Sequence, residues 1–490
     1  MTGYRYVVEI TAAVDSSGTE QTFYVGSTGF TTLPTDTPAG TAIPPHLLNP
    51  GNYERSLFTG KRTFGAVSGN YGEVVIANHQ GQYDGWIDYG FDGRRFRLYY
   101  GPEDAAYPSG YTLVLQCTML SADFGLDAVR IKLRDRLSLL DKPVIGQTFA
   151  GTGGVEGSAD LAGAPKPRLL GYTYFIPLVL LDYGLQLYFV HQSATSAPAS
   201  MPIVYDGGVE LTRGSNYSDV SDMLANAPDD GEYRCLTSGP TYVRLSSVPV
   251  YTVFANSNGG DFHSTQAAIE AGVDDASGAP AFAVTNAYVS DASTTWLQTL
   301  NEHAPRYLYT FGFNRLDQWQ STAFAAPSGS PEYVFTQHNC IGMTRQSPEG
   351  SQVPVYRVHA QSERAWIDKP TLAPYAPLDT YQWLERKYKT DLAVANSATL
   401  TKHKLAESVD LESSAYMSAT QINNYLSLFG TRRDQLLVEA QFTPELLALD
   451  LNDVVQVKWP RFGYAAGKLF RVIAQRFDFS TNRFQFTLWG

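Results

Sequence analysis

The alternation over residues 95–100 constrains this chain more than any other feature. Phe96, Leu98 and Tyr100 fall on one face and Arg95, Arg97 and Tyr99 on the other, the period-2 pattern of an antiparallel strand with one face in a core. The residues before it extend the β reading. Val74, Val75 and Ile76 are β-branched, a turn-forming cluster occupies 78–81, and Tyr83, Trp86, Ile87, Tyr89 and Phe91 carry large apolar groups up to Asp92 and Gly93. Asp-Gly favours a tight hairpin turn because glycine accepts a positive φ. The stretch 72–101 therefore reads as β-hairpins.

The 490 residues exceed one ordinary core, so roughly two to four packed units are expected. Aromatics at 13% and charged residues at only 17% mark an ordered, β-leaning chain and not a disordered one. A net charge of −12 argues against binding nucleic acid through neutralised phosphates, which needs clustered Lys and Arg. Cys117, Cys235 and Cys340 are odd in number and far apart, which encodes neither a disulfide framework nor a zinc or iron–sulfur motif. Buried free thiols made in a reducing cytoplasm are expected. The first ten residues hold one Arg before a short apolar run broken by Glu9, unlike a secretory signal. The most apolar segment, 172–181, contains Pro177 and falls short of the ~20 residues that span a bilayer. It reads as buried strand.

Along the chain the pattern divides into a β-barrel domain over 1–148, a Gly-rich linker over 149–167, a β-rich domain over 168–255, an α+β domain over 256–370 and a second β-barrel over 371–490. In the first, strands are expected at 4–10, 21–25, 111–119 and 128–132, and a helical turn at 135–140. The excursion 32–52 carries Pro34, Pro38, Pro44, Pro45 and Pro50 and is expected to stay outside the sheets. Residues 151–157 are glycine-rich, but Glu156 stands where a dinucleotide fingerprint needs its third Gly and no Gly-Lys-Ser/Thr follows. A flexible linker is expected there.

Further on, strands are expected at 172–181, 185–191, 203–205, 233–236 and 242–245, with Asp206-Gly207-Gly208 as a turn. Ser264 is expected to cap a helix over 265–271, and Ser293 one in which Trp296, Leu297 and Leu300 share a face. A strand follows at 307–313 and a loop at 321–330. The last domain opens with a linker after Pro370. It then shows a helix at 419–429 closed by a left-handed Gly430, and strands at 435–442, 454–459, 469–479 and 483–489. The fold class is mainly β with α+β insertions: two small barrels of similar plan flanking a central α+β region.

Catalytic patterns are missing from the sequence. The eight histidines never fall at metal-ligand spacing, and no Gly-x-Ser-x-Gly elbow is present. Cys340 near His338 would point the same way on a strand, but no third orienting group accompanies them. Asp84, Asp88 and Asp92 do not match a calcium loop and read as turn residues. Trp86, Trp296, Trp319 and Trp366 are of the type that stacks on sugars and equally of the type that fills cores. No catalytic residue, metal or cofactor is expected.

The stretch 72–101 resembles the first barrel of the baseplate hub, or tail-tip hub, proteins of long-tailed bacteriophages and related prophages. It shares with them the run G-x-V-V-x-x-N-x-x-G-x-x-D-x-W-x-x-Y-x-F-D-G-R. The segment GTGGVEGSADLAGAPKPRLLG at 151–171 is similar to the family's linker. The C-terminal segment resembles its closing barrel through Arg461-Phe462-Gly463, Gly467-Lys468 and Leu488-Trp489-Gly490, and the middle around 295–316 adds a fainter likeness. The resemblance implies a structural virion protein of the tail tip, made in the bacterial host cytoplasm and similar in fold to the hubs of contractile tails. Such proteins form a trimeric ring beneath the tail tube, gate the channel, and hold the tape measure protein, the distal tail protein and a central fibre or tip protein. The lack of cluster cysteines separates the chain from tip proteins that carry an iron–sulfur cluster, and the lack of a C-terminal extension implies that receptor fibres are separate chains. Readings from other classes are a tail-associated cell-wall hydrolase, since two carboxylates from distant loops would suffice, and a carbohydrate-binding adhesin.

Two expectations concern assembly. Arg94, Arg95, Arg97 and Arg471 are candidates for contacts between chains, because charge on the outer face of an aromatic-backed strand is free for partners. A homotrimer whose chains each carry two like barrels would offer six similar surfaces to a sixfold tube and three to a threefold tip. Neighbours would cover open edge strands, and an acidic lumen would let DNA pass without sticking.

Overall fold

The computed structural model describes residues 3–58, 64–193, 202–346 and 353–490, and the protein is mostly β. Among the described residues no helix is long and apolar enough to cross a membrane. Contacts group the chain into two compact units, both discontinuous: Met1–Leu139 with Thr310–Gln352 and Arg432–Gly490, and Leu140–Tyr309 with Val353–Thr431. The five consecutive segments expected above run along the chain, whereas these units gather pieces across it.

The first unit holds a seven-stranded and an eight-stranded sheet, the second of which takes strands from 52–71 and 333–346 as well as from the C-terminal segment. The first sheet runs in the order Glu20–Gly26, Tyr4–Ala13, Arg95–Pro102, Thr112–Phe124, Ala128–Arg134, Glu73–Ala77, Leu47–Asn49. Its alternation is the expected one as far as Leu98. Phe96 and Leu98 are fully buried, Arg95 is exposed and Arg97 half-buried. A register shift then falls between Leu98 and Tyr99, and Tyr99 enters a second core with Val7, Ile43, Tyr107 and Tyr111. One end of this sheet is therefore covered on both faces.

Two local expectations change here. His79–Gly81 is a 3-10 turn, as the turn-forming cluster predicts, but Asp84–Asp88 forms a second 3-10 turn and not a strand. Asn78 explains this: its Oδ1 accepts from the Tyr83 amide at 2.9 Å and its Nδ2 donates to Asp84 at 2.9 Å and to the Gly125 carbonyl at 3.1 Å, which winds the backbone into a turn. Gly93 does take a positive φ of 70°, but the strand after it pairs with Tyr4–Ala13 and Thr112–Phe124 and not with the residues before the turn. The proline-rich arm also joins the sheets. Ala42–Ile43 pairs with Phe30–Thr31 and Leu47–Asn49 with Glu73–Ala77, and its prolines flank these strands without interrupting a ladder.

The second sheet runs Tyr333–Phe335, Val454–Val457, Lys468–Asp478, Arg483–Trp489, Gln435–Gln441, Gly342–Gln346. Its long strand exchanges partners. Lys468 to Arg471 pair with Val454–Val457, while Ala474 to Asp478 pair with Asn52–Ser56 from the N-terminal segment, which in turn pairs with Ser68–Tyr71. Phe470, Val472, Phe477, Phe484, Phe486 and Leu488 are fully buried beneath it. Tyr6 of the first sheet donates its hydroxyl to Asn482 of the last hairpin at 2.6 Å. Residues 319–323, partly expected as loop, form the strand Trp319–Ala323.

In the second unit the Gly-rich segment is packed and not free. Glu156 pairs with Lys166 at 2.7 Å, and Val155, Leu161 and Ala164 lie against a core containing Phe149, Leu181 and Phe189. The strands expected between 172 and 245 are present. Helix caps differ by one or two residues from expectation. Ser264 is the first helical residue after His263, with its Oγ accepting from the Phe282 amide. Thr295 forms a capping box with Gln298 in place of Ser293, whose hydroxyl donates to Asp291. Ser418 and Gln421 cap Ala419–Phe429 as a second box. Gly430 has φ −74°, not a left-handed value; glycine is required because a Cβ there would lie 2.5 Å from the Leu426 carbonyl oxygen. A three-stranded sheet, Tyr388–Ala395, Val355–Arg364, Glu407–Ser413, takes its central strand from the region expected as α+β and its outer strands from the region expected for the last barrel.

Candidate interaction surfaces

The four arginines singled out from the sequence have different environments. Arg95 is exposed on its strand. Arg94 sits 3.3 Å from Glu20. Arg97 lies opposite Glu9 in register, donates to Gln116 at 2.8 Å and approaches Glu9 at 3.5 Å; Glu9 also accepts from the Tyr107 hydroxyl at 2.8 Å. Arg471 is half-buried: its guanidinium donates to the main-chain oxygens of Ala325, Ala326 and Asn452, and burial pushes its pKa down.

A charged cleft on the second sheet was missed. Glu439, Arg476, Asp478, Thr481, Arg483 and Gln485 line a cavity of about 380 Å³. Arg476 lies opposite Gln485, and Gln485 opposite Glu439, with Gln485 donating to Glu439 at 2.6 Å. The signal was available in the polar positions of the last hairpin, where Arg476 and Asp478 alternate with buried Phe477, and Arg483 and Gln485 with buried Phe484. The strand Glu20–Gly26 is an open edge of the first sheet, a row of donors and acceptors available to a neighbour.

The residues weighed for chemistry are committed to structure. Trp86, Trp296 and Trp319 are buried, and Trp366 donates its indole N–H to the Asn286 carbonyl at 3.1 Å. Cys340 follows a turn built by Asn339, which accepts from the Thr336 amide at 2.7 Å. Burial pushes the Cys340 thiol up to about 11, which keeps it protonated and unreactive at neutral pH. Cys117 and Cys235 are buried free thiols, while Cys340 is half-buried. Among the described residues no group of three or more His, Cys, Asp or Glu is placed to hold a metal ion.

No family model and no curated protein matches the chain. Among solved structures it is similar to the tail protein from Neisseria meningitidis MC58, at 9% identity over 100% of this chain and 97% of that one, with a TM-score of 0.41. It is similar to the 43 kDa tail protein of prophage MuSo2 from Shewanella oneidensis, at 9% identity over 99% and 98%, with a TM-score of 0.37. It is also similar to a chain of the virion of a native gene transfer agent particle, at 11% identity over 67% and 84%, with a TM-score of 0.41. Two of these are tail proteins and the third belongs to a virion. At such scores the likenesses assign no role to individual residues.

Proposed function

We propose that the protein is a structural component of a phage tail, the hub of the tail tip, with no catalytic role. Three copies form a ring under the tail tube, adapt its sixfold symmetry to a threefold tip and line the channel through which DNA leaves. The observation that supports this reading best is the union of the chain's two ends. The strand Asn52–Ser56 completes the sheet built by Lys468–Asp478, so that two large sheets are held in one unit of one chain. A closed ring of three such units offers six sheets to the tube.

Within this reading, Arg95 and its neighbours Arg94 and Arg97 face the adjoining chain, and the open Glu20–Gly26 edge is covered by it. Arg471 contributes indirectly by tying the 325–326 segment to the second sheet. The distal tail protein, the tape measure protein and a central fibre or tip protein are the partners above, within and below the ring. The net charge of −12 keeps passing DNA from adhering where acidic groups face the lumen. Immunogold labelling of purified tails tests the location. Label confined to the tip is expected, and label along the tube or absent from particles would refute it.

A further inference from the structure

The second unit contains a cavity of about 350 Å³ between the sheet that includes Tyr172–Pro177, Val253–Asn258 and Ile203–Asp206 and the helix Leu378–Arg386. One face of that helix supplies a wall. Asp379, Gln382, Trp383 and Arg386 all line the cavity, and their spacing of three, four and seven residues puts them on one side of the helix. They run from a carboxylate at its N-terminal end to a guanidinium at its C-terminal end, roughly 10 Å away at 1.5 Å per residue. Lys387 then takes a left-handed φ of 63° and turns the chain into Tyr388–Ala395, which brings Lys389 to the same mouth.

The opposite wall is held rigid. Asn256 has both ends of its side chain engaged: Oδ1 accepts from the Phe175 amide at 2.8 Å and Nδ2 donates to the Tyr205 hydroxyl at 3.1 Å. Because the Tyr205 oxygen is an acceptor in that bond, its own proton remains to be donated to something else. Phe175 has φ 46° while only 3% exposed, a costly conformation for a bulky residue. It is held there by three hydrogen bonds, the one from its amide to Asn256 and two that its carbonyl accepts from the amides of Trp366 at 3.1 Å and Ile367 at 2.7 Å. Strain retained by so many ties, at the floor of a cavity, is characteristic of a binding site.

The lining selects among ligands. Aromatic surface from the half-buried Tyr205 is interleaved with amide, hydroxyl and charged groups, which suits a polyhydroxylated ring and not an aliphatic chain. The charges are spread along the helix, with Asp379 at its N-terminal end, Arg386 at its C-terminal end and the Lys389 ammonium 4.8 Å from the Trp383 ring between them. A guanidinium binds a carboxylate bidentately, and a carboxylate accepts from hydroxyls. We propose that this cavity binds an acidic sugar, a hexose-sized ring whose carboxylate lies at Arg386 and Lys389 and whose hydroxyls meet Asp379, Gln382 and the Tyr205 hydroxyl. The site is separate from the surfaces that carry the tail-hub reading and stands or falls without it.

Titration of the full chain with D-glucuronate, followed by calorimetry and ligand-observed NMR, tests the site. Saturable binding is expected, with D-glucose at least about tenfold weaker and acetate without measurable binding. Arg386→Gln, at an exposed position, and Tyr205→Phe should each weaken glucuronate by about tenfold with the melting temperature unchanged for the first. Arg95→Gln in the other unit should have no effect. A uronic-acid oligosaccharide run in parallel separates the sources: tighter binding than the monosaccharide identifies a polysaccharide ligand, and weaker binding identifies a free sugar. Absence of glucuronate binding at millimolar concentration, or binding indifferent to both Arg386→Gln and Tyr205→Phe, would overturn the proposal.

Discussion

Arg55, near the N-terminal end of the chain, and Asp450, 395 residues later, form an ion pair of 2.7 Å in which the arginine side chain is 2% exposed. A charge so deeply buried depends on its partner, and removal of one member of such a pair costs about 3–5 kcal/mol. Asp450→Ala is therefore expected to lower the stability of the first unit by that amount in urea unfolding. The double variant Arg55→Met with Asp450→Leu should recover most of it, because no uncompensated charge remains. A loss below about 1 kcal/mol for the single variant would show that the two ends are not joined through this pair.

Two glycines separate backbone strain from close approach. Gly93 has φ 70° and open space around a would-be Cβ, so Gly93→Ala should cost about 1–2 kcal/mol through the left-handed conformation alone. Gly430 has an ordinary φ, and Gly430→Ala must displace the Leu426 carbonyl, at a cost of about 1–3 kcal/mol. Gly93→Asn should be tolerated better than Gly93→Ala, whereas Gly430→Asn should be no better than Gly430→Ala. Thermal unfolding of the four variants checks the distinction.

His303 is 1% exposed and neither ring nitrogen has a hydrogen-bond partner. Burial, with a smaller contribution from Arg306, pushes its pKa from 6.5 down to about 3. The unfolded chain thus binds a proton that the folded chain refuses between these values, so this residue's contribution to stability is present above pH 6.5 and is lost as pH falls towards 3. His191, pushed down by burial to about 4, acts in the same direction. His303→Leu should raise stability at neutral pH, because it removes unsatisfied polar atoms, and should flatten the fall in melting temperature between pH 6.5 and 4. An unchanged pH profile would contradict the assignment.

Arg95 and Arg97 lie two residues apart and should respond differently. Arg95→Glu changes an exposed position and should leave the melting temperature within a degree or two while weakening assembly of the ring. Arg97→Glu sets a second carboxylate against Glu9 and breaks the bond to Gln116, which should destabilise the fold itself. Melting curves of the purified chains and counts of assembled tails separate the two effects.

What was legible in the sequence follows the range of the interaction involved. The strands Gln435–Gln441, Lys468–Asp478 and Arg483–Trp489 and the helix Ala419–Phe429 were readable because alternation and helical periodicity are local. The turn at 84–88 was not, because Trp86 and Ile87 favour strands and one side chain, Asn78, decides otherwise. The insertion of Asn52–Ser56 beside Ala474 to Asp478 is a pairing across some 420 residues, about which neither partner's sequence carries information. The internal partners of Arg471 were hidden for a related reason, since the carbonyls that bind it come from residues 325, 326 and 452. The sugar-site residues were hidden too: Phe175, Tyr205, Asn256 and Arg386 are distant in sequence, and the tryptophan near them, Trp383, was not among those weighed for stacking.

Symmetry is the most direct test of the hub reading. Three-dimensional reconstruction of isolated tail tips by electron cryo-microscopy, without imposed symmetry, would count copies of this chain at the end of the tube. The account predicts three copies in a closed ring, with the two large sheets of each first unit in alternating positions around a sixfold-like collar. A ring of six copies, or a single copy on the outside of the tail, would contradict it.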